Sequence, residues 1–290
     1  MTSRAALVFG GSGQIGVPLL SKLLADGWQV HAVSRTAQAP MPGLHWVRGD
    51  FAQAEDLPGL VDAVFSAGPL DLFSRWYAQS PVEAARVIAF GSTSADTKQA
   101  SVDAGERDIA ARLVEAERLI FETASLRGAA ATLLRPTLIY GAGRDLTLSR
   151  IVTMARRAGF FVLPGDAKGL RQPVHVEDLA DAACKAVDQS STHGHVYALP
   201  GGETLEYREM IRRTLAALEP SIRLFEVPAP MFRAAVTVAH GLGRLQGFNP
   251  ATLARMREDL MFDCESARTD FGYTPRPFRP EAHMFTAQDQ

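Results

Sequence analysis

The chain has 290 residues, enough for one large domain or two unequal ones around a substantial core. Hydrophobic residues make up 47% and charged residues 21%, and the formal net charge is -2, so no global field recommends nucleic acid or an anionic membrane as a partner. The first apolar run starts within a few residues of Met1 and leaves no room for a cleavable leader, so a cytoplasmic protein is expected. Cys184 and Cys264 stand at no metal or redox spacing, and no metal site is expected.

The opening apolar run ends in Gly10, with Gly13 and Gly16 following at G-x-x-G-x-x-G spacing. Glycines behind a strand let the backbone approach a pyrophosphate, and the next helix points unpaired N–H groups at it. Ile15, Leu19, Leu20, Leu23 and Leu24 recur at helical spacing, and Gly27 stands where a left-handed cap would end the helix. A second strand, 29–34, completes a βαβ unit. It ends Ala32, Val33, Ser34, Arg35, with no acid until Asp50. An acid there would bind ribose hydroxyls, whereas Arg35 offers a planar charged contact and Ser34 a hydroxyl to a 2′-phosphate, so NADP(H) is favoured over NAD(H).

Further strands are expected at 44–48, 61–66, 86–90 and 131–139, with a short helix around Ala54 and a long one over 105–126 carrying Ile109, Leu113, Ala116 and Ile120 on one face. Phe73, Arg75, Trp76 and Tyr77 read as an aromatic-rich loop, either a lid over the nicotinamide or a locally packed cluster. Short apolar strands separated by helices mean a parallel sheet covered on both faces, with ligands beyond the carboxyl ends of its strands. That edge holds Gly49-Asp50, Ala67-Gly68-Pro69, Ser92-Thr93-Ser94 and Tyr140-Gly141.

Beyond Gly141 the pattern loosens into a helix at 146–158, an apolar stretch at 160–165, a strand at 172–176, a helix at 178–189, a strand at 195–199, a helix at 205–218 and a strand at 222–227. The apolar segment from Pro228 to Phe248 is broken by Arg233, His240, Gly241, Gly243 and Arg244, so it is no membrane span. The fold class expected is α/β, a doubly wound parallel sheet of Rossmann type in residues 1–165, to which later segments can return, with a smaller substrate-binding lobe in 166–290.

These residues resemble the extended short-chain dehydrogenase/reductase family, the NAD(P)-dependent epimerase/dehydratase group. The glycine turn is one match. Gly49-Asp50-Phe51 resembles a turn whose aspartate contacts adenine, and Leu134-Arg135-Pro136 through Tyr140-Gly141 resembles the segment passing the nicotinamide. Arg171 with 173–180 looks like the signature opening the substrate lobe, and Asp263, Ala267, Arg268, Phe271, Gly272, Tyr273 and Pro275 look like the closing pattern. The resemblance implies a dinucleotide site of Gly10, Ser12, Gly13, Gln14, Ile15, Gly16, Ser34, Arg35, Asp50, Phe51, Ala67, Gly68 and Pro136, and a substrate side with Arg171 and Tyr140.

The family's catalytic pair is absent. Redox members carry a tyrosine and a lysine four residues later on the long helix, where the lysine charge lowers the phenol's pKa. The residues four after Tyr77, Tyr140, Tyr197, Tyr207 and Tyr273 are Pro81, Arg144, Gly201, Ile211 and Pro277. On the long helix Asp108 with Arg112, and Asp103 with Arg107, have the right separation but the wrong chemistry, and read as exposed ion pairs. Ser92, Thr93 and Ser94 occupy the loop of the family's orienting hydroxyl and are the catalytic candidates, or else plain turn residues. Lys98 follows them as a substitute cation or a solvated side chain. His175 and Asp178 read as structural, the aspartate as a helix N-cap. Two functions stay open: an NADP(H)-dependent oxidoreductase or epimerase-like enzyme acting on a nucleotide-linked or other small carbonyl or hydroxyl substrate, as monomer or homodimer; or an inactive NADP(H)-binding sensor or structural module.

Overall fold

The computed structural model describes residues 3–145, 147–241 and 250–285. In chain order it contains β1 (Ala5–Phe9), α1 (Gly16–Ala25), β2 (Gln29–Ser34), β3 (Leu44–Arg48), β4 (Leu60–Ser66), α2 (Leu70–Gln79), β5 (Glu83–Phe90), α3 (Ser94–Thr97), α4 (Ala104–Leu126) and β6 (Ala130–Pro136). There follow β7 (Ile139–Tyr140), α5 (Leu148–Ala158), β8 (Phe160–Pro164), β9 (Leu170–Arg171), β10 (Val174–His175), α6 (Val176–Asp188) and β11 (Val196–Leu199). The chain closes with β12 (Leu205–Glu206), α7 (Tyr207–Ala216), β13 (Arg223–Val227), α8 (Ala229–Gly241), α9 (Pro250–Arg255) and α10 (Glu265–Phe271).

Seven strands form one parallel sheet in the order β11-β6-β5-β4-β1-β2-β3. From β1 the chain winds outward through β2 and β3, then crosses back to β4 and winds the other way. The order therefore reverses between β1 and β4, and that switch point is where an open α/β sheet binds its ligand. Leu19, Leu20 and Leu23 of α1 and Leu179, Ala182, Ala183 and Ala186 of α6 cover one face. Phe73 and Tyr77 of α2 and Ala116, Ile120 and Ala124 of α4 cover the other. Gly27 ends α1 with φ +78, as its position requires.

The later segments divide. α6, β11 and α10 return to the sheet, where Tyr197, Phe271 and Tyr273 join its core. A second core gathers Leu148, Ile151 and Val152 of α5 with Met210, Ile211 and Leu215 of α7 and with Phe278. Around it lie the small pairs β8·β13, β9·β12 and β7·β10. Buried Arg86 ties the returning segment to the sheet, donating to the carbonyls of Ala130, Ala186 and Val187 and to the hydroxyls of Thr132 and Thr192 at 2.9–3.3 Å.

Several local expectations change. No helix forms around Ala54, because the Asp50 carboxylate takes the amides of Ala52 and Gln53 and a bridge from Gly49 to Ala54 closes the turn. Residues 70–79 are a helix rather than an aromatic loop, with Phe73 and Tyr77 in the core. Ile109 lies outside the buried face of α4, which instead carries Ala110, Ala116, Glu117 and Ile120. The N-cap of α6 is His175, not Asp178. Asp178 is buried and accepts from the Arg276 amide and Nε at 2.9 and 2.7 Å. Leu146, and residues 242–248 of the late apolar segment, lie outside the described residues. No helix among the described residues is long and apolar enough to cross a membrane.

Candidate functional site

The glycine turn is held by its own close contacts. Gly10 has φ +74, and a Cβ there would lie 2.8 Å from the carbonyl carbon of Ala67 and the amide nitrogen of Gly68, so β1 and β4 can end side by side only with glycine at 10. A Cβ on Gly16 would lie 2.0 Å from the Gly10 carbonyl oxygen, which is how closely α1 sits on the turn. The Gly13 amide donates to that same carbonyl at 2.9 Å. The amides of Ser12, Gln14 and Ile15 have no acceptor among the described residues, and the Gln14 Oε1 is buried without a partner.

A cleft of about 570 Å³ opens at this switch point. Gly10, Ser12 and Gly13 line it from the turn, Ser34 and Arg35 from the end of β2, Asp50 and Phe51 from beyond β3, and Ala67 and Gly68 from beyond β4. Gln14, Ile15, Gly16 and Pro136 lie outside its lining: Ile15 is in the core, Gly16 backs the turn, and Pro136 is buried, accepting from the Thr93 amide. Phe51 stacks on Phe9 at 4.8 Å and rests on Gly68, where a Cβ would meet its ring at 2.8 Å. Trp76 packs on Phe9 at 4.3 Å, so the floor is aromatic.

The cleft's charge is mostly positive. Asp50 is the one acid in the lining, and its Oδ1 accepts from the Ala52 and Gln53 amides at 2.8 and 3.0 Å, which hold the carboxyl below its ordinary range. Arg35 and Arg75 supply two cations. The Ser34 hydroxyl already donates to the Thr36 carbonyl at 2.9 Å and accepts from its amide. Arg144 reaches from the loop after β7 and donates to the Ser12 carbonyl. Leu72, Arg75, Trp76 and Gln79 all face the cleft from α2. The sequence reading missed Leu72 and Gln79, and it placed Arg75 and Trp76 in a loop. Their helical spacing was the signal that could have found them.

The catalytic candidates sit apart from this cleft's lining. Thr93 Oγ1 is buried and donates to the Pro136 carbonyl at 3.2 Å, while Ser92 Oγ accepts from the Ser94 amide at 3.1 Å. Asp108 and Arg112 form an exposed i,i+4 pair at 3.0 Å, whereas Asp103 caps α4 by accepting from the Glu106 amide. Half-buried Lys98 makes no hydrogen bond or ion pair through its ammonium among the described residues; burial first, and then Arg255, lower its pKa. Glu106, bonded by the Ser101 hydroxyl at 2.7 Å, pairs with Arg255 of α9. That pair joins the first turns of α4 to the second lobe.

Tyr140 is buried between His175 and Phe278, with ring centroids at 5.0 and 4.8 Å, and burial raises its phenol's pKa. Arg171 is buried, and its guanidinium donates to the carbonyls of Leu170, Glu258 and Arg255. Arg135, beyond the cleft, is clamped between Glu117 and Asp96.

A parallel sheet that reverses at β1 and β4, with a glycine turn and cleft at that point, defines a fold of Rossmann type. Residues 98–199 match the model of the NAD dependent epimerase/dehydratase family. Over 93% of this chain and 94% of the relative, the sequence is 28% identical to a 2-alkyl-3-oxoalkanoate reductase from Stenotrophomonas maltophilia. It is 31% identical to the mouse short-chain dehydrogenase/reductase family 42E member 1 over 50% of this chain and 40% of that protein. Among solved structures, the epimerase Mth375 from Methanothermobacter thermautotrophicus superposes with a TM-score of 0.71 at 15% identity, covering 97% of this chain and 90% of its own. A UDP-glucuronic acid 4-epimerase from Bacillus cereus, solved with NAD, gives 0.68 at 13%, covering 93% of each. The chain is similar in sequence to extended short-chain dehydrogenase/reductases, most clearly over residues 98–199, and it shares the Rossmann-type fold of these solved structures.

Proposed function

We propose that this protein binds NADP(H) in preference to NAD(H) and reduces a small carbonyl substrate. One observation carries the cofactor preference: Arg35 and Arg75 line the cleft without hydrogen bond or salt bridge among the described residues, while its single acid, Asp50, is held by two amides. A 2′-phosphate meets free guanidinium there, and a ribose hydroxyl meets no free carboxylate at the end of β2. The cradle fits a pyrophosphate, since Gly10, Ser12 and Gly13 line the cleft and the amides of Ser12, Gln14 and Ile15 have no acceptor among the described residues.

The reduced nicotinamide supplies the hydride when bound. The chain's own residues hold the turn, place a hydroxyl through Ser92 and supply the proton. We assign the proton to Lys98, whose unpaired, partly desolvated ammonium can release it to the forming alkoxide more readily than a solvated lysine can. The relative named a 2-alkyl-3-oxoalkanoate reductase, aligned over nearly the whole chain, supports a 3-oxo acid as the substrate class. The second lobe, from α5 onward apart from the segments that return to the sheet, takes the substrate. In this reading Arg171 holds residues 255–258 against β9 rather than gripping a nucleotide-linked substrate.

The test is calorimetry with NADPH and NADH on the wild type and on Arg35→Asp, followed by NADPH oxidation with 3-oxoalkanoates and nucleotide sugars. NADPH binds at least tenfold more tightly than NADH to the wild type, and the substitution reverses the order; an unchanged order removes Arg35 from the site. A second reading, the non-catalytic module, is favoured by the solvated Asp108–Arg112 pair and by the Glu106–Arg255 bridge at the start of α4, where the family's tyrosine belongs. Tight NADPH binding with no turnover across both substrate panels decides for it.

A further inference from the structure

A second cavity, of about 790 Å³, lies between α5, β8, β13 and α8, and it shares no lining residue with the dinucleotide cleft. Its walls are apolar and flexible in shape: Phe160, Phe161 and Val162 from β8, and Met231 and Phe232 from α8. Methionine and phenylalanine walls of this kind adapt to an unbranched chain without imposing directional contacts. The mouth is unusually apolar for a surface, with Phe160 46% and Met231 64% exposed.

One charged residue lines this cavity, Arg157 in the last turn of α5. It makes no ion pair or hydrogen bond among the described residues, although the neighbouring Arg156 donates to the Phe285 carbonyl. On the adjoining strands, Glu226 of β13 pairs with Arg208, and Asp166 after β8 pairs through Oδ2 with Arg257. An apolar chamber with a single uncompensated guanidinium at its rim is complementary to one chemistry, an alkyl chain ending in an anion.

We propose that this cavity binds a free medium- to long-chain aliphatic carboxylate, with the chain against Phe161, Phe232 and Met231 and the carboxylate on Arg157. The site stands apart from the cofactor reading and does not depend on turnover. Burying each further methylene strengthens binding by about fourfold, and a charge-assisted contact at an exposed rim contributes about tenfold.

Calorimetry with hexanoate, octanoate and decanoate on the full chain, with NADPH present to fill the other cleft, tests this. Decanoate binds saturably, and affinity rises by about fourfold per methylene along the series. Arg157→Gln weakens decanoate by about tenfold and leaves 1-decanol unchanged, and Met231→Glu weakens both. Both substitutions are at exposed side chains, so thermal unfolding stays at the wild-type value. Absence of saturable heat overturns the proposal, as does equal loss of decanoate and decanol in Arg157→Gln. Light scattering that shows a dimer broken by Met231→Glu, with no decanoate heat, overturns it in favour of a self-association face.

Discussion

Replacing Gly16 by alanine tests how the turn is built. Alanine is the better helix former by about 1 kcal/mol, so propensity alone predicts a gain in α1. Against that, the new Cβ would lie 2.0 Å from the Gly10 carbonyl oxygen and 2.6 Å from that of Gly11, both backbone atoms. The helix must move away from the turn by roughly 1 Å or more, and overpacking of this kind costs about 3 kcal/mol. The net expectation is a loss of about 2 kcal/mol, measured by urea unfolding without ligand. NADPH affinity, measured by calorimetry, falls at least tenfold because the amides of 12–15 leave their positions. Gly27→Ala is the matched control: no atom lies within 4 Å of its Cβ, so only the positive φ of +78 is strained, costing about 1 kcal/mol, and NADPH affinity does not change. Alanine at 16 with unchanged stability and unchanged affinity would refute the contact-based account of the turn.

Arg86→Met leaves the carbonyls of Ala130, Ala186 and Val187 without their donor in a buried site, and urea unfolding should show a loss of about 3 kcal/mol or more; a loss under 1 kcal/mol would mean that water replaces the guanidinium. His175 is held neutral, its pKa lowered by burial first and then by Arg276, with Glu177 and Asp178 opposing and His283 adding to the shift. Its folded pKa lies below the unfolded value of about 6.5, so its contribution is complete above that pH and is lost as pH falls through the folded value. Unfolding measured from pH 7.5 to pH 5 should therefore steepen less in His175→Asn than in the wild type, and equal slopes would exclude it. Lys98→Met should lower kcat by about a hundredfold while leaving NADPH affinity intact, and in the wild type the rate should fall as pH rises through the lysine's pKa; an unchanged kcat removes Lys98 as the proton donor.

Periodic and backbone-driven features were legible before the structure. Gly16 is fixed by its contacts with Gly10 and Gly11, so the glycine spacing carries the turn, whereas the contact of Gly10 with Ala67 and Gly68 at the end of β4 is not local; the apolar strands around them specify a parallel sheet. Residues 70–79 were misread because Arg75, Trp76 and Gln79 break an apolar stripe. These side chains face a cleft rather than a core, and a ligand-facing helix has the pattern of a loop when only burial is considered. The turn at Ala54 failed for a local reason, since a short acidic side chain competes with helix formation by taking two amides two and three residues ahead.

Charged residues were the least legible, because spacing along the chain does not say whether a cation is already occupied. Arg171 spends its guanidinium on carbonyls more than eighty residues away, Arg86 on partners about a hundred residues away, and Arg135 on a carboxylate of the neighbouring helix. Arg171 reads as a ligand-side arginine in sequence, and all three are neutralised or hydrogen-bonded within the fold. Arg35, Arg75 and Arg157 are the contrast. Arg35 follows β2, Arg75 stands on a cleft-facing turn of α2 and Arg157 in the last turn of α5, and none of them makes an ion pair among the described residues. Among the described residues, Arg86, Arg135 and Arg171 are thus met by carbonyls and carboxylates, while Arg35, Arg75 and Arg157 line the two cavities described above without an ion pair. An anion entering either cavity recovers electrostatic energy that no internal group already takes, so the sign of charge at these two rims selects the ligand class.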